Sequence, residues 1–256
     1  RSTLFPYTTL FRSGRRLLVL TMLVACGGKA TEPTKEEVKP EQTQEEAREV
    51  EKKPRPDTKI TLNDGDIKVT SKDVEKNLAK KDVPFVYDEP VRLETFDTIL
   101  KNQEFYTNNA IGAIHIPNQK IRLAVLHGVN DTIMFAGAGT LSPYQVMGQN
   151  NFPLISHKLY LSQDQNLLFN QIENVEMGSI IRLTDLETIW EYKAYDFIKI
   201  DEKNVDAVDP FKTGPNGKPI ISLVTCVAYG EPSRYVLYGE LVNTKPYTEE
   251  AFDAAE

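Results

Sequence analysis

From about residue 110 onwards the chain alternates between short apolar runs and turn-forming residues. The runs are IGAIHIP, IRLAVLHG, TIMFAG, FPLISHKLYL, SIIRLTD, TIWEYKAYDFIKI, PIISLVTCVAY and RYVLYGELV. Each has the length and composition of a β-strand, and turn signals divide them. Before them, Phe96, Ile99 and Leu100 of LETFDTILKNQ have helical spacing. The pattern predicts a mainly β fold of eight strands, a closed barrel or a sandwich, with few short helices.

The apolar pattern places one compact domain at about residues 93–245, the length of an ordinary single domain. Residues 58–92 form an N-terminal extension that the pattern does not define well. In it, KITLNDGDIKV could be a hairpin around Asn63-Asp64-Gly65, and SKDVEKNLAKK could be a short helix. Residues 246–256 are assigned to a C-terminal tail.

Residues 27–57 have a composition that cannot support a core. Of these 31 residues, 16 are charged, four are proline and none is aromatic. Such a segment buries too little apolar surface to offset the entropy of ordering. We expect a disordered, charged linker that tethers the domain.

Two further segments precede the linker. Residues 3–13, TLFPYTTLFRS, resemble the in-frame translation of a sequencing-adapter oligonucleotide, so residues 1–13 are excluded as an artefact. Residues 14–26 carry a basic pair, a short apolar stretch and Leu-Val-Ala-Cys, which resembles a bacterial lipobox with Cys26 as the lipidated residue. The alternative is an uncleaved signal anchor. Either predicts an extracytoplasmic protein tethered to the membrane through its N-terminus.

Charge and cysteine content narrow the function. Residues 26–256 carry 26 basic and 37 acidic side chains, a formal charge of −11, which argues against a nucleic-acid partner. If Cys26 carries lipid, Cys226 has no disulfide partner. A single thiol in an exported domain is either buried or used.

Few residues could carry chemistry. Histidine occurs only at positions 115, 127 and 157, without metal-ligand spacing, so no metal site is predicted. A cysteine nucleophile needs a group that handles its proton, and often a cation near the developing oxyanion. His157, near the end of a predicted strand, is the best-placed candidate, whereas His115 and His127 fit ordinary strand and turn positions.

Two dense motifs resemble those of class A sortases. MFAGAGTLSPYQVMGQNNFPLISH (134–157) resembles the family's Gly-Ala-Gly-Thr block that ends in the catalytic histidine. ISLVTCVAYGEPSR (221–234) resembles its Thr-Cys block, with an arginine eight residues beyond the cysteine. The resemblance covers about residues 92–245 and implies an eight-stranded sortase-type β-barrel.

The resemblance also implies a cell-surface cysteine transpeptidase. Such an enzyme cleaves an LPXTG-like sorting signal of an exported protein between Thr and Gly, and transfers the protein to a cell-wall peptide amine. Cys226 would be the nucleophile, His157 the general acid and base, and Arg234 the oxyanion stabiliser. Thr225, Val205 and Val208 would contact substrate. No cofactor is expected; calcium binding is doubtful because the loop HGVNDT offers only one acid, Asp131.

The sequence leaves two other hypotheses about function open. A non-catalytic, surface-tethered β-barrel lipoprotein would bind a ligand without needing Cys226. An unrelated cysteine peptidase or L,D-transpeptidase would use the thiol in a different fold. The L,D-transpeptidases keep their His and Cys in one compact motif, whereas His157 and Cys226 are 69 positions apart. The distance between Cys226, His157 and Arg234 in the fold discriminates between them.

Overall fold

The computed structural model describes residues 55–86, 91–92, 95–159, 167–228 and 230–255. The artefact (1–13), the signal segment with Cys26, and linker residues 27–54 lie outside the described residues. The described chain opens with a hairpin, β1 (Lys59–Leu62) and β2 (Ile67–Thr70), followed by helix α1 (Ser71–Leu78). The turn residues Asn63, Asp64 and Gly65 all have positive φ, which these residue types tolerate. The hairpin and helix that the sequence allowed in the extension are therefore both present.

Two short helices, α2 (Phe96–Leu100) and α3 (Gln103–Asn109), lead into the barrel. The barrel strands are β3 (Ala110–Ile116), β4 (Ile121–Leu126), β5 (Ala138–Thr140), β6 (Asn151–Ile155), β7 (Ile180–Thr184), β8 (Thr188–Asp201), β9 (Ile220–Cys226) and β10 (Ser233–Pro246). They close in the order β10-β8-β7-β3-β4-β5-β6-β9. The β4–β5 and β6–β9 pairs are parallel, and the other described pairs are antiparallel. The predicted mainly β, eight-stranded barrel with few short helices is confirmed.

The apolar run TIMFAG is not a strand. It forms helix α4 (Asp131–Ala136), and strand β5 begins only at Ala138. The side chain of Asn130 accepts a hydrogen bond from the Ile133 amide at 2.8 Å and caps the helix. A run of this length is too short for apolar periodicity to separate helix from strand, so the capping residue decides.

Buried side chains form three clusters. The first fills the barrel interior and includes Ile114, Leu183, Leu223 and Leu237. The second, here called the distal cluster, joins the N-terminal hairpin and helices to the barrel's outside through residues such as Ile60, Val74 and Tyr106. The third, here called the outer cluster, covers the outer face of β6, β9 and β10; it comprises Met134, Ile155, Ile200, Ala207, Val208, Ile220, Val224, Val236 and Tyr238.

The segment expected to be a tail is part of the compact fold. Strand β10 continues to Pro246, and helix α5 (Glu249–Asp253) follows. Phe252 is fully buried in the distal cluster. Arg122 on β4 pairs with Asp253 at 2.8 Å. Apolar burial and this ion pair therefore extend the folded part to α5, past the boundary expected at residue 245.

Candidate active site

Three neighbouring strands bring the predicted catalytic residues to one end of the barrel. Strand β9 lies between β6 and β10 in the closed sheet and ends at Cys226. Arg234 on β10 is the register partner of Cys226. On the other side, Ile155 of β6 pairs with Val224, and the Ser156 amide donates to the Val224 carbonyl at 3.2 Å. His157 follows Ser156 directly, so β6 brings it to the same end of the barrel as Cys226.

Cys226 and Arg234 share the outer face of the barrel, and His157 contacts α4, whose Met134 belongs to the outer cluster. Alternate residues of a strand point to the same side of a sheet. Cys226 and Arg234 each lie two residues from a member of the outer cluster on the same strand, namely Val224 for Cys226 and Val236 for Arg234. Residues that are far apart in sequence thus form one constellation at the ends of adjacent strands.

The Cys226 thiol is half-buried at the end of its strand. Burial raises its pKa above the ordinary value, the nearby Arg234 charge lowers it, and Glu202 raises it again; the net direction is upward. The resting thiol is therefore neutral at pH 7, and nucleophilic attack requires a partner that takes its proton.

Arg234 is held tightly on the outer face. Its side chain is buried, and one guanidinium nitrogen, Nη2, pairs with Glu202 Oε2 at 3.0 Å. Nη1 donates to the Ser233 carbonyl at 3.0 Å. The buried Nε has no hydrogen-bond acceptor among the described residues. The pair with Glu202 fixes a permanent cation beside the thiol while leaving one donor of the guanidinium uncommitted.

His157 is positioned by helix α4. Its Nε2 lies 2.9 Å from Asp131 Oδ1. Its ring centroid lies 4.3 Å from that of Phe135, with an angle of 51° between the ring planes. Its backbone amide donates to the Met134 carbonyl at 3.4 Å, and its carbonyl accepts from Phe169 at 3.2 Å. The imidazole is thus fixed in orientation but remains partly exposed.

The expected substrate contacts have different surroundings. Thr225 alternates with Cys226, is buried, and donates its hydroxyl to the Ser156 carbonyl at 2.9 Å, so the hydroxyl serves the β6–β9 junction. Val208 is buried in the outer cluster, whereas Val205 is 39% exposed at the start of a 3₁₀ turn, Val205–Val208. Of the three, only the side chain of Val205 is accessible.

The two other histidines serve the packing of the fold. His115 Nδ1 lies 2.9 Å from the Phe252 carbonyl, and His127 Nδ1 lies 2.9 Å from the Asn77 carbonyl. Burial is the main cause that lowers the pKa of each. Within the described ranges, no group of three or more His, Cys, Asp or Glu residues could hold a metal ion. Asp131, the single acid of the loop weighed for calcium, is engaged by His157.

Sequence reasoning missed two acids of the site and one ring. Asp131 was weighed only as a calcium ligand, and Glu202 and Phe135 were not singled out. Asp131 and Phe135 are four residues apart, so they share a helix face. That spacing would have been a signal had the segment been recognised as a helix.

The comparisons with known proteins agree with this geometry. The sortase domain family model matches residues 114–242. The chain is 36% identical over 180 residues to sortase A of Listeria monocytogenes, covering 70% of this chain and 77% of that protein. It is 28% identical over 183 residues to sortase A of Streptococcus agalactiae, covering 71% and 72%. The crystal structure of L. monocytogenes sortase A superposes with a TM-score of 0.51 at 35% identity, covering 57% of this chain and 99% of that one.

These matches decide between the readings that the sequence left open. The family model spans all three candidate residues, His157, Cys226 and Arg234. The L. monocytogenes and S. agalactiae relatives are each matched along more than two thirds of their length. These matches give no support to the alternative of a non-catalytic binding lipoprotein. The chain belongs to the sortase family, as a class A sortase, and is a cysteine transpeptidase.

Proposed function

We propose that this sortase cleaves an LPXTG-like sorting signal between Thr and Gly and transfers the protein to a cell-wall peptide amine. The observation that carries the proposal is that Cys226 and Arg234 are register partners at the end of β9, and that His157 lies just beyond the end of the neighbouring strand β6. A nucleophile, a proton carrier and a permanent cation are the groups that acyl transfer through a thioester requires.

In the first half-reaction, the Cys226 sulfur adds to the threonine carbonyl and the C–N bond to glycine breaks. The leaving amine takes a proton from the His157 imidazolium, and a thioacyl-enzyme remains. Since burial and Glu202 raise the pKa of Cys226, the thiol reaches its reactive form by giving its proton to the imidazole as substrate binds.

In the second half-reaction, an amine of the cell-wall peptide attacks the thioester carbonyl. His157, now a neutral imidazole, takes the proton of that amine. The new amide bond forms, the C–S bond breaks, and the thiol is regenerated. The partly exposed imidazole suits both steps, because leaving and incoming amines must reach it from solvent.

Arg234 stabilises the negative charge that develops on the carbonyl oxygen in both half-reactions. Its guanidinium keeps its charge at every working pH and offers donors in a fixed fork. Glu202, at 3.0 Å, holds that fork in place. Substrate side chains would lie over the outer cluster, where Val205 is exposed and Val208 forms part of the floor.

Sortases act on surface proteins that carry sorting signals, and we place this enzyme outside the cytoplasm, tethered through its N-terminal segment. Residues 27–54 would let the active site sweep the membrane surface. Arg55, at the end of the expected linker, belongs instead to the folded part, since its Nη2 pairs with Asp185 Oδ2 at 3.1 Å. Among the described residues, no helix is long and apolar enough to cross a bilayer. Either lipidation of Cys26 or an uncleaved signal anchor within residues 14–26 would provide the tether.

A peptide assay tests the proposal. An LPXTG peptide with a fluorophore and quencher on either side of the Thr–Gly bond is incubated with the wild-type protein and an amine acceptor. We expect cleavage and transfer, lost in Cys226→Ala, His157→Ala and Arg234→Ala but kept in His127→Gln, a histidine bonded elsewhere. Full activity in Cys226→Ala would overturn the proposal.

A further inference from the structure

Helix α4 presents a buried carboxylate to the candidate general acid and base. The side chain of Asp131 is only 4% exposed, and its Oδ1 lies 2.9 Å from His157 Nε2. Its other oxygen, Oδ2, accepts a hydrogen bond from the Val91 amide. A carboxylate removed from water is costly unless it is paired and hydrogen-bonded, so this arrangement holds Asp131 for its interaction with the imidazole.

The same helix fixes the plane of the imidazole ring. Phe135 lies one turn after Asp131, and its ring centroid is 4.3 Å from that of His157. Phe135 is itself supported by Phe96 of α2, with ring centroids 5.8 Å apart. One helix face therefore supplies a hydrogen bond at the edge of the imidazole and an apolar contact at its face.

We infer that Asp131 is a positioning residue that selects the tautomer and orientation of His157 for proton transfer. This inference rests on the proposed role of His157. An ionised carboxylate only accepts hydrogen bonds, so the neutral imidazole carries its proton on Nε2. The hydrogen bond made by one ring nitrogen decides which nitrogen is left basic. Nδ1 is consequently the nitrogen that exchanges a proton with the leaving and incoming amines.

The other histidines provide an internal contrast. His115 and His127 each direct Nδ1 at a backbone carbonyl, at 2.9 Å in both cases. A carbonyl oxygen also only accepts, so these two rings carry their proton on Nδ1. Of the three histidines in the chain, His157 alone is assigned the Nε2–H form.

Nitrogen-15 NMR of the histidine-labelled full chain reads these tautomers directly. At pH 9, above the ordinary imidazole pKa, we expect two rings with the Nδ1–H pattern and one, assigned by its loss in His157→Gln, with the Nε2–H pattern. In Asp131→Ala the His157 signals should shift towards a mixture of both tautomers, while those of His115 and His127 stay. An Nδ1–H pattern for His157 in the wild-type protein would overturn the inference.

Kinetics give the second readout. Asp131→Asn and Asp131→Ala should lower kcat for peptide transfer by about 10- to 100-fold with little change in KM, since only part of the general acid–base contribution is lost. The control is Asp97→Asn, an exposed aspartate in the first turn of α2. Thermal melts of each variant separate loss of fold from loss of proton transfer.

The outcomes separate this inference from the function on which it rests. If His157→Ala and Cys226→Ala abolish transfer but Asp131→Asn and Asp131→Ala, while folded, keep wild-type kcat and the Nε2–H pattern, Asp131 does not position the imidazole and the proposed function stands. If His157→Ala itself retains activity, the proposed role of His157 fails first.

Discussion

Arg234 lies directly across from Cys226 in the antiparallel pairing of β9 and β10. The nucleophile and the cation are thus set by strand register, and neither depends on a loop for its position. A shift of one residue in this register would turn Arg234 to the barrel interior. The cysteine and the arginine are eight positions apart in the motif because the seven residues between them, 227–233, close this pair.

Replacing Arg234 should affect chemistry more than substrate binding. We expect Arg234→Ala to lower kcat by about 100- to 1000-fold, as loss of an oxyanion donor does. Arg234→Lys should recover only part of this, because an ammonium retains the charge but not the fork held by Glu202. Peptide-transfer kinetics measure the effect, with Arg122→Lys, which alters an ion pair to α5, as control. Equal activity of Arg234→Lys and wild type would show that the charge alone is enough and that the guanidinium geometry is not needed.

The reactivity of Cys226 should depend on pH in a defined direction. Burial is the main cause that raises the thiol pKa, so the alkylation rate of the free enzyme should climb with a midpoint above 9.0, the ordinary value. Because Glu202 also raises this pKa, Glu202→Gln should move the midpoint downward, whereas exposed Glu176→Gln should not. Iodoacetamide rates across pH 6–11 give both midpoints. A wild-type plateau below pH 8 would show that the free thiol is already ionised.

Glu191 should contribute stability that is lost in acid. Burial raises its pKa, but hydrogen bonds from Lys245, Asn243 and Arg182 outweigh it and lower the pKa to about 2. A depressed carboxyl pKa stabilises the fold above the unfolded value of 4.5, and this stability disappears as pH falls towards about 2. The urea midpoint of Glu191→Gln should therefore lie well below wild type at pH 7 and converge with it near pH 2. If the difference in urea midpoint between wild type and Glu191→Gln stayed the same from pH 7 to pH 2, ionised Glu191 would not be the source of this stability.

The glycine of the Met-Gly pair in the first motif, Gly148, leaves no room for a side chain. Gly148 has a φ of +75°, and an added Cβ would lie 2.2 Å from Trp190 Nε1. We expect Gly148→Ala to lower the free energy of unfolding by more than about 1 kcal/mol. Gly217 has a similar φ of +71° with nothing within 4 Å of an added Cβ. Gly217→Ala therefore measures backbone strain alone, and urea unfolding should show a smaller loss for it than for Gly148→Ala.

The sequence predicts most of the barrel because each strand either alternates between apolar and polar residues or is continuously apolar, and clear turn signals separate the strands. It fails at TIMFAG, where six residues carry no decisive period and the Asn130 cap favours a helix. It also underestimates the end of the chain, since Phe252 is buried in the distal cluster with residues that are far away in the sequence. Local patterns report on local structure, and these elements are defined by distant contacts.

The site residues also divide into those that a local motif reveals and those that only distant contacts define. Cys226, His157 and Arg234 stand out because they lie in dense motifs. Asp131 does not, because its partner is 26 residues away and is reached only after α4 folds back on β6. Glu202 is 32 residues from Arg234 and is joined to it by β8–β10 pairing. Supporting residues of this kind become visible only when the strands are assembled.

The most direct test of the account is the chemical identity of the acyl intermediate. The protein is mixed with an LPXTG peptide without an amine acceptor, quenched in acid and digested for mass spectrometry. We predict that the peptide portion ending in threonine is attached to the fragment containing Cys226, is released by hydroxylamine, and is absent in Cys226→Ala. A product formed without this adduct, or an adduct on another residue, would contradict the central claim that Cys226 is the nucleophile.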